Sequence, residues 1–271
     1  MIKAAILDLY NRTPNLGLKS IMDIIALGFP DIQFKVYDVR AGGEIPDLDY
    51  DIYISSGGPG NPMDGDGKWD RAYYEWIDAL WNYNLENVDK KKYVFFICHS
   101  FQMICHHFDI GKVSKRPEKS FGVFPLVKTI SGMDDELFQY LPNPFYVADF
   151  REYQVVEPDH NRLDEIGARI LAIEHPNNHD FEHQAIMAVR FSPEIYGTQF
   201  HPEAFPEGML KYFAEPDRRT RILEDHGAAV YEEMMFHLRD PIKIQLTHNR
   251  MLPGFLSLAE NSVNSPLTEA I

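Results

Sequence analysis

A cysteine, a histidine and a serine interrupt an otherwise apolar stretch at residues 94–104, VFFICHSFQMI. The residues before Cys98 are typical of a buried strand, and those after it favour a helix. In an open α/β sheet, a thiol on such a turn stands beyond the carboxyl end of its strand, where ligands bind. The neighbouring backbone N–H groups can receive an oxyanion. The alternative is that Cys98 is a small buried hydrophobe, as most free cysteines are.

Two further segments could supply the partners that a nucleophile needs. In GTQFHPE, residues 197–203, His201 and Glu203 lie two positions apart around a proline. Residues i and i+2 of extended backbone point to the same side, so Glu203 can orient the imidazole of His201. The segment SSGGPGNP, residues 55–62, follows another strand-like run, and its glycines allow backbone N–H groups to approach a substrate. Alone, this loop would be a plain surface turn.

Together, the three segments resemble the class I glutamine amidotransferase family. Its pattern is a Gly-rich SGGPG loop, a cysteine turn of the form G-x-C-x-G-x-Q and a later Q-F/W-H-P-E. In this chain the corresponding residues are 56–60, 98–102 and 199–203, in the family's order. The resemblance covers roughly residues 1–210, and three ordered motifs are much more specific than any one of them.

The resemblance implies a catalytic triad of Cys98, His201 and Glu203. Cys98 would attack the side-chain amide of glutamine, His201 would move protons, and Glu203 would fix the tautomer of His201. A γ-glutamyl thioester would form, ammonia would leave, and water would release glutamate. No cofactor is implied.

The resemblance also implies the residues that surround the substrate. The backbone N–H groups of Gly58 and His99 would hold the tetrahedral oxyanion. Gly57 and Gln102 would contact the substrate, since Gln102 matches the family position that helps to seat it.

Two departures from the family pattern concern substrate recognition. The family usually has glycine two residues before and two residues after the cysteine, whereas this chain has Phe96 and Ser100. On an extended strand Phe96 points to the same side as Cys98, so we expect its ring to border the pocket or to press against the following helix. The family's glutamine-contacting segment is best matched by DFREYQVV, residues 149–156, which has Arg151-Glu-Tyr in place of a Ser-His pair.

The alternation of apolar strands with helical patterns predicts an α/β fold. We expect a doubly wound, mainly parallel sheet with helices on both faces, flavodoxin-like as in the resembled family, spanning residues 1–210. The later strands lie close together, which favours antiparallel hairpins at one edge. Residues 211–271 should form a C-terminal helical extension with a frayed tail. Its apolar face, formed by Val230, Met234, Met235 and Leu238, must bury against the domain or against a second copy in a homo-oligomer.

Composition excludes several other classes of protein. The chain has 271 residues, a formal net charge of −15 and two cysteines. The charge opposes non-specific binding to nucleic acid or to anionic membranes, and we expect neither partner. No apolar run approaches the roughly 20 residues that span a bilayer, and the first residues do not resemble a signal peptide. Two cysteines are too few for a disulfide framework, which predicts a cytoplasmic protein.

Three histidines spaced by four residues could suggest a metal site. His175, His179 and His183 have the spacing of helical ligands, but EHPNNHDFEHQ contains a proline and two asparagines between two predicted strands. The segment is therefore more typical of a hairpin loop, and we predict no metal.

Three functions remain open from the sequence. The first is a glutaminase-type amidotransferase that acts on a small-molecule amide and passes ammonia to a separate synthetase chain. The second is a γ-glutamyl hydrolase or acyltransferase on the same fold, because the thioester chemistry does not specify the acceptor. The third is a catalytically silent binding domain, a hypothesis suggested by Phe96 and by the altered segment 149–156.

Overall fold

The computed structural model describes residues 1–175 and 184–264. Within them the strands are β1 (Ile2–Asp8), β2 (Ile32–Asp38), β3 (Ile52–Ser55), β4 (Tyr93–Ile97), β5 (Lys112–Lys128), β6 (Phe145–Val156), β7 (Arg169–Glu174), β8 (Ile186–Ser192) and β9 (Ile195–Thr198). The helices are α1 (Gly17–Gly28), α2 (Val39–Gly42), α3 (Trp69–Glu86), α4 (His99–His107), α5 (Ile130–Asp134), α6 (His160–Ile166), α7 (Pro206–Ala214), α8 (Pro216–Leu238) and α9 (Ile244–Asn264).

The strands form a single mixed sheet in the order β2-β1-β3-β4-β9-β8-β7-β5-β6. The half from β2 to β9 is parallel, and the half from β8 to β6 is antiparallel. Strand β3 is buried along its whole length, and so is β4 after its first residue, which explains their continuous apolar sequence. The predicted doubly wound, flavodoxin-like α/β fold with antiparallel strands at one edge is confirmed.

Helices cover the parallel half of the sheet on both faces. One face packs against α1 and α9, through residues such as Ile25 and Phe255. The other face packs against α3 and α4, through residues such as Trp76 and Phe101. The carboxyl ends of β3, β4 and β9 therefore lie between two helical layers, and the three predicted functional segments follow these strands.

The C-terminal helices cover the antiparallel half and return to the parallel half. Met234, Met235 and Leu238 of α8 are buried with residues of β5 and β6, so this apolar face packs within the same chain. The division of the chain near residue 210 stays a prediction. Helix α9 extends to residue 264 and places Leu252 in the central core despite an internal proline. The predicted frayed tail from residue 265 lies outside the described residues.

Strand β5 was not predicted. Its first half, KVSKRPEKS, is charged and contains a proline, and its register against β6 shifts between Lys115 and Ser120. Such an irregularity bends a strand and redirects its side chains.

The described residues contain no group of His, Cys, Asp or Glu that could hold a metal ion. His179 and His183 of the metal alternative lie outside the described residues. None of the described helices combines the length and apolar character needed to cross a membrane.

Candidate active site

The strand-to-helix turn at Cys98 has an unusual backbone. Cys98 adopts φ 51° and ψ −99°, a conformation that L-residues rarely take, immediately before α4. Its N–H donates to the carbonyl of Thr198 on β9 at 2.7 Å, and its carbonyl accepts from Gln102 at 3.0 Å. The two hydrogen bonds fix the turn between the sheet and the helix. Strained backbone of this kind is concentrated at functional sites.

Ser100 fits where the family has glycine because its hydroxyl finds partners within the turn. The side chain is fully buried, its Oγ accepts from the N–H of Ile97 at 2.9 Å, and it donates to the carbonyl of Ser55 at 2.8 Å. Ser100 thus ties the cysteine turn to the end of β3, which begins the Gly-rich loop.

Phe96 lies in the core and does not line the cavity beside Cys98. Its ring packs edge-on against Trp76 of α3, with ring centroids 6.5 Å apart. The residue in register on β9 is Gly197, and the ring of Phe101 occupies the place of its missing side chain. The positive φ of Cys98 breaks the strand alternation on which the expected bordering position depended. Phe96 is therefore a core residue rather than a part of the cavity wall.

His201 and Glu203 form a buried pair after β9. The Nδ1 atom of His201 lies 2.8 Å from Oε1 of Glu203, and the His201 N–H donates to the carbonyl of Ala148 at 3.0 Å. Burial by itself lowers the pKa of His201. The charges of Glu203 and Cys98 together outweigh this effect and hold the pKa of His201 well above its ordinary value. Glu203 thus makes His201 a stronger base and orients its ring.

The Cys98 thiol lies beside the His201 imidazole, and this contact helps to raise the pKa of the imidazole. Gly57 adjoins this contact, since a Cβ at that position would lie 3.0 Å from Cε1 of His201 and 3.5 Å from Cβ of Cys98. The structure therefore brings the three predicted triad residues together, and the Gly-rich loop can approach them because position 57 has no side chain.

The Gly-rich loop also passes so close to β1 that Gly58 admits no side chain. A Cβ there would lie 2.5 Å from the carbonyl oxygen of Leu9. Arg40 fastens the loop from outside, with Nη1 donating to Pro59 O at 2.8 Å and to Leu9 O at 3.3 Å. Gly58 lies in the wall of the same cavity as Cys98.

At His99 the backbone N–H, rather than the imidazole, is available to a bound ligand. Its N–H belongs to the first turn of α4, where N–H groups have no intrahelical acceptor and remain available to an anion. Burial, with a smaller contribution from Arg40, lowers the pKa of the His99 imidazole to about 3. The ring is therefore neutral at physiological pH and is buried away from acid–base work.

Gln102 is held in place by both of its amide protons. Its Nε2 donates to the carbonyl of Tyr153 at 2.9 Å and to Oε1 of Gln199 at 3.0 Å. The Nε2 of Gln199 in turn lies 3.7 Å from the sulfur of Cys98. Gln102 thus lines the cavity and also orients Gln199. Gln199 was not singled out from the sequence, although it lies in the QFHPE segment.

Tyr10 is a second residue that the sequence did not reveal. Its hydroxyl and Oε1 of Glu203 both lie so close to Gly17 that a side chain there would clash with them. The hydroxyl would also lie 3.2 Å from a Cβ at Gly57. Burial above all, then the negative charges of Glu203 and Cys98, raise the pKa of Tyr10 well above its ordinary value. The phenol stays protonated beside the triad. Nothing in the sequence near Tyr10 marks it.

The backbone of Glu203 is anchored by two helices that are distant in sequence. Its carbonyl accepts from the hydroxyl of Ser20 on α1 and from Nδ1 of His248 on α9, the latter at 3.2 Å. The C-terminal helix α9 therefore helps to position the carboxylate that faces His201.

Cys98 opens into a cavity of about 300 Å³, called here the thiol cavity. One wall is the Gly-rich loop and α4, and the other is formed by β5, β6 and α8. The walls comprise Gly58, Pro59, Gly60, Cys98, Gln102, Lys119, Ser120, Phe121, Phe150, Arg151, Glu152, Tyr153 and His226. The segment 149–156 thus faces the thiol, as expected from its match to the family's glutamine-contacting strand.

Comparison with known proteins agrees with this geometry. Residues 23–214 match the family described as glutamine amidotransferase class-I. The match spans most of the chain and contains all three motifs. The chain therefore belongs to the class I glutamine amidotransferase family.

Solved structures share the fold at low sequence identity. The protein SMU.1228c is 18% identical with a TM-score of 0.68, over 96% of this chain and 100% of that one. A glutamine amidotransferase from Thermotoga maritima is 15% identical with a TM-score of 0.63, over 97% and 99%. A putative GMP synthase subunit from Thermoplasma acidophilum is 20% identical with a TM-score of 0.51, over 75% and 85%. No curated protein matches the sequence.

Proposed function

We propose that the protein hydrolyses the side-chain amide of glutamine through a γ-glutamyl thioester on Cys98. The observation that carries the proposal is the position of Cys98 beside His201 at Gly57, with the Nδ1 of His201 held 2.8 Å from Glu203. A nucleophile, a base and an orienting acid in this order are the arrangement that activates a thiol for acyl transfer.

The first half of the reaction forms the thioester. His201 takes the thiol proton, and the sulfur of Cys98 attacks the amide carbon. The negative charge moves to the amide oxygen, which the backbone N–H groups of Gly58 and His99 receive. His201 then gives its proton to the amide nitrogen, the C–N bond breaks, and ammonia leaves.

The second half releases the product. A water molecule gives a proton to His201 and attacks the thioester carbon, the C–S bond breaks, and the sulfur of Cys98 takes the proton back from His201. Glutamate leaves. Throughout both halves Glu203 stabilises the imidazolium, and Gln199 and Gln102 hold the position of the sulfur.

We propose that the ammonia is used by a separate synthetase chain. The described helices after β9 pack on the sheet and contain no second set of convergent polar motifs. One solved structure with this fold is a subunit of a putative GMP synthase. Both cysteines of this chain are free, and the chemistry needs Cys98 reduced, which suits the cytoplasm.

A specific observation favours a second candidate, a γ-glutamyl hydrolase or acyltransferase. Beside the thiol cavity lies an outer cavity of about 540 Å³ between β5 and α8, and the two share Lys119, Phe121 and His226 in their walls. The rings of Phe121 and His226, which stack with centroids 4.2 Å apart, line both cavities. A leaving or accepting amine larger than ammonia would find space there. Phe96 packs in the core, so its departure from the family pattern no longer supports a catalytically silent domain.

Steady-state release of ammonia from glutamine tests the proposal, with Cys98→Ala as the variant and Cys105→Ala as its control. Cys105 lies two turns further along α4, and burial raises its pKa well above the ordinary value, so it should be inert. We expect the loss of Cys98 to reduce the rate at least about 10³-fold, and the loss of Cys105 to leave it unchanged. Equal rates for Cys98→Ala and wild type would overturn the proposal. Faster release from γ-glutamyl alkylamides than from glutamine would favour the second candidate.

A further inference from the structure

The hydroxyl of Tyr10 lies beside the triad but outside the thiol cavity. Tyr10 follows β1 and is 9% exposed. A Cβ at Gly57 would lie 3.2 Å from this hydroxyl, 3.0 Å from Cε1 of His201 and 3.5 Å from Cβ of Cys98. Tyr10 is not among the residues that line the cavity into which Cys98 opens. Any influence of the hydroxyl on the chemistry must therefore pass through another side chain.

The carboxylate of Glu203 is placed to be that side chain. A Cβ at Gly17, the first residue of α1, would lie 2.3 Å from the hydroxyl of Tyr10 and 2.8 Å from Oε1 of Glu203. The hydroxyl and the carboxylate thus face one small space, which stays open because position 17 has no side chain. A hydrogen bond can cross such a space directly or through one water molecule.

The Glu203 carboxylate has an acceptor that is not yet used. Its side chain is 1% exposed, and Oε1 lies 2.8 Å from Nδ1 of His201. The second oxygen, Oε2, is buried and has no hydrogen-bond partner among the residues that the structure describes. An ionised carboxylate accepts through both oxygens, and a buried acceptor that lacks a donor is costly. The carboxylate therefore calls for a second donor.

The phenol of Tyr10 remains a donor at every pH at which the triad can work. Burial above all raises its pKa well above the ordinary value, and the charges of Glu203, Cys98 and Asp8 act in the same direction. On the other side of Glu203, His248 of α9 binds the backbone carbonyl, and burial lowers the pKa of its imidazole. His248 therefore adds no positive charge near neutral pH, and the phenol keeps its proton.

We propose that Tyr10 is a positioning residue of the triad, whose hydroxyl donates a hydrogen bond to the carboxylate of Glu203. The inference rests on the proposed function at Cys98 and adds a fourth side chain to its machinery. The bond fixes the carboxylate in the orientation that receives Nδ1 of His201. It also favours the charged form of the carboxylate, on which the basicity of His201 depends.

NMR titration of the His201 imidazole tests the inference without turnover. The background is Cys98→Ala, in which no thiol titrates beside the ring. Tyr10→Phe retains the aromatic ring and removes only the hydroxyl. We expect this change to raise the pKa of His201 by about 0.5–1, because a donor binds the carboxylate more strongly when no imidazolium already neutralises it.

Tyr53→Phe is the matched control for this titration. It also removes the hydroxyl of a buried tyrosine, which donates to the carbonyl of Asp47 at 2.8 Å. The pKa of His201 should be the same with and without this change. A loss of packing alone would not distinguish the two tyrosines.

Steady-state release of ammonia from glutamine gives a second readout, with Cys98 in place. Tyr10→Phe should lower kcat about 3- to 10-fold, because the pair of His201 and Glu203 loses one of its restraints. The KM for glutamine should stay unchanged, because Tyr10 does not line the thiol cavity. Tyr53→Phe should change neither constant.

Gly17→Ala provides an independent variant that leaves Tyr10 intact. Its methyl group would enter the space between the two oxygens and should raise the pKa of His201, as Tyr10→Phe does. Gly28→Ala at the other end of α1 is the control, since a Cβ there would meet nothing within 4 Å.

Four outcomes would overturn the inference. They are an unmoved pKa of His201 in Tyr10→Phe, a lowered pKa, an equal shift in Tyr53→Phe, and a raised KM with an unchanged kcat. If Tyr10→Phe does not fold, an unmoved pKa in Gly17→Ala overturns it instead. The expected shift in a protein that releases no ammonia from glutamine would contradict the proposed function alone.

Discussion

Replacing Cys98 by glycine should stabilise the protein relative to replacing it by alanine. Both variants lose the thiol, but only alanine retains a Cβ at φ 51° and ψ −99°. An L-residue in such a region costs about 1–3 kcal/mol, which glycine does not pay. Glycine gives up about 0.5–1 kcal/mol through the greater freedom of the unfolded chain. The net difference should therefore favour glycine by about 0–2.5 kcal/mol.

The matched control is the same pair of substitutions at Cys105. This cysteine is buried within α4, where glycine should be about 1 kcal/mol less stable than alanine. The four free energies of unfolding can be obtained from urea denaturation with a common slope. If glycine were as unfavourable at position 98 as at position 105, the turn would not be strained, and the account of how the thiol is presented would fail.

Three other predictions concern neighbouring residues. Glu203→Gln should lower the pKa of His201, which NMR titration of the imidazole measures, and an unchanged titration would refute this. The same variant should reduce glutaminase kcat/KM about 10- to 100-fold, which is a smaller loss than that of His201→Ala. Because the folded-state pKa of His201 exceeds its unfolded value, this pair stabilises the fold fully below about pH 6.5, and the stabilisation is lost as pH rises through the folded-state pKa. His99, with its pKa of about 3, behaves oppositely: its neutral form supports the fold above about pH 6.5, and the support is lost as pH falls toward 3. Between pH 7 and pH 5, the free energy of unfolding of the wild type should therefore fall by about 2 kcal/mol more than that of His99→Gln. Urea denaturation at the two pH values measures this, and equal decreases in the two proteins would count against a buried neutral ring. Phe96→Ala should lower the free energy of unfolding by about 3–5 kcal/mol and leave the KM for glutamine unchanged. A raised KM without loss of stability would show that the ring lines the cavity instead.

The sequence predicted the parts of the fold and site that depend on local patterns. Buried parallel strands have continuous apolar sequences, and the tight turns after β3, β4 and β9 carry short motifs. Cys98, His201 and Gly57 could therefore be located before the structure was known. Their meeting at one edge follows from the parallel order of the strands.

The parts that the sequence did not predict depend on contacts between distant segments. The burial of α9 in the core follows from its packing against α1 and the sheet, which overrides the helix-breaking tendency of Pro253. Tyr10 lies in otherwise ordinary loop sequence after β1. Only the folded chain shows that this hydroxyl lies beside the triad.

The most direct measurement of the central claim is mass spectrometry after exposure to a diazo-ketone analogue of glutamine. This electrophile requires both a reactive thiol and recognition of the amino acid. The account predicts one adduct per chain, located on Cys98, that excess glutamine prevents and that Cys105→Ala leaves unchanged. An adduct on Cys105, or no adduct on Cys98 under conditions in which iodoacetamide labels it, would contradict the account.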